Sequence, residues 1–308
     1  MTETAAPLSL PGNAPSLWSR LRQWTAVRIA VHAVFLILVV VASAILTRTL
    51  VPAAPSPWHH GLLLAANLLS SAVLLAVYAL TVRWLERRGA SELNLRKGLP
   101  LALIGAALGT ALMAAVYLGL WLLGFARFAA GSGWDGLDGA LVAMFAVAVL
   151  EELVLRAVLF RLVEEASGTA VAVLVSALVF GLIHGLNPGA TAIDVAAVAI
   201  EAGVAFALAY ALTRNLWLTI GMHAAWNFTE GSVFGAQVSG YAAPHSQFRA
   251  TLNGPNLFTG GAFGPEGSVI AIAIFAALSI VIAALVVREG QWRGFARGKT
   301  MPATVARN

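Results

Sequence analysis

Long apolar stretches separated by short polar connections occupy the chain from residue 29 to residue 287. About 20 residues of helix cross the hydrocarbon core of a bilayer. The pattern therefore predicts an all-α fold, a polytopic transmembrane helical bundle of about eight spans. The predicted spans lie near residues 29–47, 61–82, 99–124, 139–163, 169–186, 190–213, 215–235 and 268–287.

The composition agrees with a membrane protein. Of 308 residues, 59% are hydrophobic and 11% are charged, whereas soluble domains average about 25% charged residues. The formal net charge is +5, but the Arg and Lys residues lie mainly beside apolar segments, so we expect no nucleic-acid partner. The chain has no cysteine, which excludes disulfides, thiolate catalysis and Cys-ligated metals.

Three parts are expected along the chain. Residues 1–24 lack the features of a secretory signal, so we expect a disordered or interfacial tail there. Residues 25–289 are expected to form the transmembrane bundle, followed by a cytoplasmic tail at 290–308. Arg and Lys concentrate at alternate connections, which by the positive-inside rule places both termini in the cytoplasm. The long Gly- and Pro-rich connection 236–267 is expected to be a lid.

The fourth predicted span contains two adjacent acids and an arginine, Glu151, Glu152 and Arg156. Each ionisable group at bilayer depth costs about 2.5–3.5 kcal/mol on insertion scales, so a chemical role is favoured over packing. Glu152 and Arg156 share a helical face, so the arginine can neutralise this acid. Glu151 points elsewhere and is the candidate general base. A structural ion network or an ion path are the alternatives.

Two later spans carry single histidines. Phe180 and His184 are four residues apart, so the aromatic ring can exclude water beside the imidazole. His223 and Asn227 also share one face and can donate two hydrogen bonds toward one point, as an oxyanion site requires. Taken singly, His184 could be satisfied by a nearby carbonyl, and the His223 pair could simply join helices.

Further ionisable residues are expected to play lesser parts. Asp194 and Glu201 share a face of the sixth span and are expected to support the site. A solvated face is expected from the charged residues at the cytoplasmic end of the fourth span, which are Arg161, Glu164 and Glu165.

These three patterns, Glu-Glu-x-x-x-Arg, Phe-x-x-x-His and His-x-x-x-Asn, occur in order in separate spans. Together they resemble the CPBP family of intramembrane proteases, which includes CAAX prenyl endoproteases and Abi-type bacteriocin-immunity proteins. The resemblance covers about residues 145–240, the expected catalytic core. The matching residues are Glu151, Glu152, Arg156, His184, His223 and Asn227.

The resemblance implies an endopeptidase that cleaves a peptide or a membrane protein in the lipid bilayer. Glu151 and His184 would activate a water, and His223 and Asn227 would stabilise the oxyanion. Glu152 and its arginine would support the first carboxylate. The alanine-rich, cysteine-free composition fits a bacterial plasma-membrane protein. Since bacteria generally lack CAAX prenylation, the expected substrate of a bacterial member is not a prenylated protein.

The family has also been described as metal-dependent. If a metal is present, the resemblance makes Glu151, His184 and His223 its ligands, and this set would suit zinc with an open position for water. Both the metal-dependent and the glutamate-type mechanism, without a cofactor, stay open on the sequence.

Two functions of other classes are also compatible with these residues. One is a non-catalytic bacteriocin-immunity or scaffold membrane protein. The other is a proton-coupled transporter in which Glu151, Asp194 and Glu201 form a relay. The absence of a visible internal repeat weighs against the transporter.

Overall fold

The computed structural model describes residues 24–51 and 58–295. Residues 1–23 of the predicted N-terminal tail and residues 296–308 of the C-terminal tail lie outside this part. Within it, one long helical segment corresponds to each predicted span. The segments are α1 (Thr25–Leu50), α2 (His59–Glu86), α3 (Leu95–Leu122), α4 (137–167), α5 (Thr169–His184), α6 (Ala192–Thr213), α7 (216–233) and α8 (Val269–Arg288).

Five of these segments, α1, α2, α3, α6 and α8, are long and apolar enough to cross a membrane. The other three carry the candidate chemistry or are short: α4 contains the acids and the arginine, α5 has 16 residues, and α7 contains the second histidine. Large apolar side chains remain exposed along the outer helices, as lipid contact requires. The predicted all-α, multi-pass membrane bundle is confirmed.

Side-chain caps determine where several helices begin. Asn94 accepts a hydrogen bond from the backbone of Lys97 before α3, and Ser268 caps α8 in the same way. Thr191 and Asp194 form a reciprocal capping box at the start of α6. These contacts satisfy backbone N–H groups that the first helical turn leaves unpaired. The capping box therefore accounts for the burial of the charged residue Asp194.

Four helices contain π-helical stretches, a feature that occurs frequently at functional sites. They are Val82–Glu86 in α2, Leu153–Phe160 in α4, Ala199–Phe206 in α6 and Thr229–Val233 in α7. The stretch in α4 begins directly after Glu152, and the stretch in α6 contains Glu201.

The helices alternate in direction, so their ends form two opposite faces. We call one the arginine face, formed by the start of α1, the connection 83–97, the end of α4 and the connection between α6 and α7. We call the other the loop face, formed by the start of α2, the connection 123–136, the end of α5 and the segment 234–267.

A buried ion network joins the helices at the arginine face. Glu86 accepts hydrogen bonds from His32 at 2.9 Å and from Arg161 at 2.8 Å, and it pairs with Arg28 at 3.0 Å. Glu92, in the 3₁₀ turn Ser91–Leu93, accepts hydrogen bonds from Arg88 and Tyr78. Burial alone would raise the pKa of Glu92, but these hydrogen bonds hold it below its usual value.

The expected solvated face at the end of α4 is wrong. Arg161 is 6% exposed and Glu164 is 2% exposed. The sequence shows only their helical neighbours, whereas the fold brings partners from distant segments: Glu86 pairs with Arg161, and Arg214 pairs with Glu164. Glu165, which pairs with Arg28 and Arg161, stays partly exposed.

The loop face carries a two-stranded antiparallel sheet, β1 (Ala126–Ala130) with β2 (Phe248–Leu252), in register Phe128 to Ala250. The connection 236–267 is folded onto the bundle. Phe263 and Glu266 in it are buried, and Pro265–Gly267 forms a 3₁₀ turn before α8.

Small residues let α3 and α7 approach closely. A Cβ atom added at Gly105 or Gly109 would strike the backbone of Leu218 or Met222, and one at Gly221 would strike α3. Helices in membranes associate through such stripes, because the hydrophobic effect does not draw them together there. This contact fixes the helix that carries His223.

Candidate active site

Glu152 lies at the centre of the candidate site and is fully buried. Its Oε1 accepts a hydrogen bond from Arg156 Nη1 at 2.9 Å, one turn further along α4. The same oxygen accepts from His223 Nδ1 at 2.9 Å. Glu152 therefore joins α4 to α7 and is shared by an arginine and a histidine.

Arg156 is held between two aromatic rings. Its guanidinium carbon lies 4.9 Å from the ring centroid of Phe180 and 5.5 Å from that of Phe206. Nη2 donates a hydrogen bond to the carbonyl of Ala202, in the π-helical stretch of α6. Cation–π contacts of this kind contribute more when they are shielded from water. Through these contacts and its hydrogen bond to Glu152, Arg156 holds Glu152 in position.

His223 lies between the two acids. Its Nδ1 donates to Glu152, and its Nε2 is 3.8 Å from Oε2 of Glu151. A carboxylate on one ring nitrogen orients the imidazole and leaves the other nitrogen for chemistry. No short-range sequence pattern marks the contact of His223 with Glu152, because the two residues are 71 positions apart on different helices.

Glu151 differs from its neighbour in its surroundings. Its side chain is 27% exposed, and its Oε2 has no hydrogen-bond partner among the described residues. Because this partly exposed carboxylate lines a cavity, it can accept a proton from a molecule bound there.

His184, at the end of α5, uses one ring nitrogen locally. Nδ1 donates to the carbonyl of Phe180 at 2.9 Å, and the two rings stack with centroids 4.5 Å apart. This is the local satisfaction expected of a single histidine in an apolar helix. It leaves Nε2 for other contacts.

One cavity of about 620 Å³ reaches Glu151, His184, His223 and Asn227. Four residues chosen from three separated patterns therefore converge on one space, which helical spacing alone could not establish. A second, mainly apolar cavity of about 350 Å³ approaches Glu151 and His184 from the side of α1. Within the described residues, no hydrogen bond engages the side-chain amide of Asn227, which is 8% exposed.

The residues do not form a ready-made metal site. Within residues 24–51 and 58–295, no group of three His, Asp or Glu side chains is placed to hold a metal ion. Glu151, His184 and His223 share the cavity, but as the side chains stand they do not fit a three-ligand zinc site.

A second set of buried acids lies beside the site. Glu201 is 3% exposed with its Oε1 unpartnered among the described residues, and Glu266 accepts hydrogen bonds from Trp226 and Ser239. A void of about 20 Å³ touches both acids and also His223, which is room for about one water. Sequence reasoning singled out Glu201 but missed Glu266, which lies in a loop with no apolar periodicity to mark it.

The fold and the site together define a multi-pass membrane protein with a carboxylate, two imidazoles and a carboxamide around one cavity. Residues 133–229 match the family model described as type II CAAX prenyl endopeptidase Rce1-like. Residues 133–229 are therefore similar to the Rce1-like family, and the resemblance to the CPBP family predicted from the sequence is confirmed.

The matched segment is about a third of the chain and runs from just before α4 into α7. It contains all six residues on which the resemblance rests. A search of curated proteins gave no match, and neither did a search of solved structures.

Proposed function

We propose that this protein is an intramembrane endopeptidase that hydrolyses peptide bonds of a peptide or membrane-protein substrate with a water activated at Glu151. One observation supports this most directly: Glu151, His184, His223 and Asn227 line the same cavity. Their chemistry matches what amide hydrolysis requires, which is a proton acceptor, a positioned water and donors for the oxyanion.

In the proposed reaction, Glu151 accepts a proton from water while His184 Nε2 holds the same water. The oxygen of that water attacks the carbonyl carbon of the scissile bond. His223 Nε2 and the amide of Asn227 donate hydrogen bonds to the oxyanion that forms. Glu151 then returns the proton to the leaving amine, so that the C–N bond breaks and an acid and an amine are released.

Charge balance supports these roles. With His223 protonated, two carboxylates face one guanidinium and one imidazolium, so the cluster of Glu151, Glu152, Arg156 and His223 is neutral overall. A neutral, hydrogen-bonded cluster is far less costly in a low-dielectric interior than an excess of either charge. A protonated His223 would also donate from both ring nitrogens.

Glu151→Gln tests the proposal. The variant removes the proton acceptor and keeps the shape, so we expect loss of cleavage of about 10³-fold or more. Purified protein in lipid vesicles would be incubated with a peptide library, and new termini would be identified by mass spectrometry. Glu165→Gln, at the arginine face, is the matched control and should cleave like wild type. Equal cleavage by both variants would remove Glu151 from the mechanism.

Metal content separates the two mechanisms that the family admits. We propose the glutamate type, because Glu151, His184 and His223 do not form a ready ligand set. Active wild-type protein without stoichiometric metal is the expected result by elemental analysis. Stoichiometric zinc that is lost in His184→Ala would instead assign a metal-dependent reaction.

We also propose that the protein resides in a bacterial plasma membrane with both termini in the cytoplasm. The concentration of Arg and Lys at the arginine face, where α1 begins and α8 ends, supports this orientation.

A further inference from the structure

The two faces of the bundle differ sharply in charge. The arginine face holds most of the described cationic residues, in the connection 83–97 and at the ends of α1, α4, α6 and α8. The loop face holds three: Arg48, Arg127 and Arg249. Cationic connections stay on the cytoplasmic side of a membrane, so this asymmetry assigns the loop face to the non-cytoplasmic side.

The catalytic cavity lies toward the loop face. Apart from the reacting groups, its lining comes from the first turns of α2 and α4, the end of α5 and the segment 238–245. The start of α2 contributes His60, and the turn after α5 contributes Asn187. None of these parts belongs to the arginine face.

Toward the arginine face the cavity is closed. Glu152 and Arg156 are fully buried, and Phe180 and Phe206 cover the guanidinium on two sides. Beyond them the buried network around Glu86 fills the end of the bundle. A substrate that approached from that side would have to break several buried ion pairs.

The wall between α2 and α4 indicates what the cavity accepts. Leu63 and Leu64 on α2 and Met144 and Val147 on α4 all line the cavity and make this wall apolar. At its outer end His60 contacts Asp138 at 2.8 Å, an exposed pair that bridges the two helices. This part of the cavity therefore suits an extended peptide segment with apolar side chains whose polar end remains at the membrane surface.

We infer that the protease takes its substrate from the non-cytoplasmic side, as an apolar peptide segment displayed at the outer surface of the membrane. This rests on the proposed function and specifies its substrate class. It also separates this chain from the activity in the family description, because a prenylated C-terminal CAAX motif presented in the cytoplasm would meet the closed face.

Cysteine labelling tests the direction directly, because the native chain has no cysteine. Ala143→Cys places a thiol inside the cavity and Ala242→Cys places one at its rim. Ser91→Cys, exposed at the arginine face, is the matched control. Intact bacterial cells would be treated with a membrane-impermeant maleimide before and after permeabilisation.

The expected result is labelling of Ala143→Cys and Ala242→Cys in intact cells, at least tenfold above Ser91→Cys, which should react only after permeabilisation. The inference is overturned if Ser91→Cys reacts in intact cells, or if the two cavity variants need permeabilisation. Ala242→Cys keeps the test decisive if Ala143→Cys fails to fold.

The labelling does not depend on catalysis, so the two proposals fail separately. Repeating it in a Glu151→Gln background should give the same pattern. Outside labelling together with undiminished cleavage by Glu151→Gln would end the catalytic proposal and leave the direction of access standing. Loss of cleavage by Glu151→Gln together with labelling of the cavity variants only after permeabilisation would contradict the direction of access and leave the catalytic proposal standing.

Discussion

Two buried ionic clusters occupy opposite halves of this bundle, and they differ in how completely their atoms are paired. At the arginine face, both oxygens of Glu86 are engaged, by His32 and Arg161 and by Arg28 and Arg88. In the candidate site, Glu151 Oε2 and Arg156 Nε have no hydrogen-bond partner among the described residues.

The difference separates structure from chemistry. A buried polar atom without a partner costs free energy, about 1–3 kcal/mol for a typical group. The network at the arginine face avoids this cost and joins α1, α2 and α4. The cluster around Glu151 bears this cost beside a cavity, and the carboxylate of Glu151, which lines that cavity, is available to a bound molecule.

Removing Glu86 should give the largest effect, and that effect should be on stability. Glu86→Gln removes the buried carboxylate that Arg28 and Arg161 share and leaves both with the partly exposed Glu165. Loss of one partner from a buried ion pair costs about 3–5 kcal/mol. Unfolding in a mild detergent would measure it. Cleavage per folded molecule should stay within about threefold of wild type. A loss of turnover without a loss of stability would contradict the comparison.

Asn227→Ala should show the opposite behaviour. Losing one donor to an oxyanion lowers kcat by about 10²–10³-fold, and no hydrogen bond among the described residues is lost with this side chain. Steady-state kinetics would measure kcat, and unfolding should be unchanged. Asn67→Ala is the control, because Asn67 lines the same cavity and donates to the Leu63 carbonyl of its own helix. Equal losses in both variants would argue for general damage to the cavity.

Glu152→Gln should lower both the catalytic rate and the stability of the protein. His223 would lose the carboxylate that orients it, and partners of this supporting kind are worth about 10–100-fold in activity. The loss should appear in kcat, with KM nearly unchanged. Stability should also fall, because Arg156 loses its only charged contact within hydrogen-bond distance among the described residues. If the loss appeared only in KM, Glu152 would have no orienting role.

The smallest effect concerns pH. The pKa of Glu92 is lower in the folded protein than in the unfolded chain, so its contribution is complete above the ordinary carboxyl value of about 4.3. It is lost as the pH falls through the lower, folded value. Thermal unfolding from pH 7 to pH 3 should therefore show the stability advantage over Glu92→Gln constant to about pH 4.3 and then shrinking. An advantage that grew in acid would contradict this.

Much of the fold could be read from the sequence, because membrane spans depend on local properties. Apolar length alone gave a segment close to each observed helix, for instance 268–287 against Val269–Arg288. The sheet between β1 and β2 was not predicted. Its strands are short, lie 118 positions apart from Ala130 to Phe248, and pair across loops whose hydrophobic pattern is weak.

The candidate site was only partly readable. Spacing within one helix revealed the pairing of Glu152 with Arg156, since both lie on the same strip of surface. Contacts between helices, such as Glu152 with His223, depend on how α4 and α7 pack, and no short-range pattern records that. The prediction that Arg161 lies on a solvated face was wrong for the same reason, because its partner Glu86 belongs to another helix.

The glycine contact between α3 and α7 has a consequence for motion. With Gly105 and Gly109 pressed against the backbone of α7, the helix that carries His223 cannot slide or rotate without a steric collision. The cavity wall facing it is built from α2 and the start of α4, which the solvent-exposed pair of His60 and Asp138 joins at the outer end. A bulky substrate that widens the cavity would therefore displace α2. The helix α7, which carries the residue that stabilises the oxyanion, would stay in place.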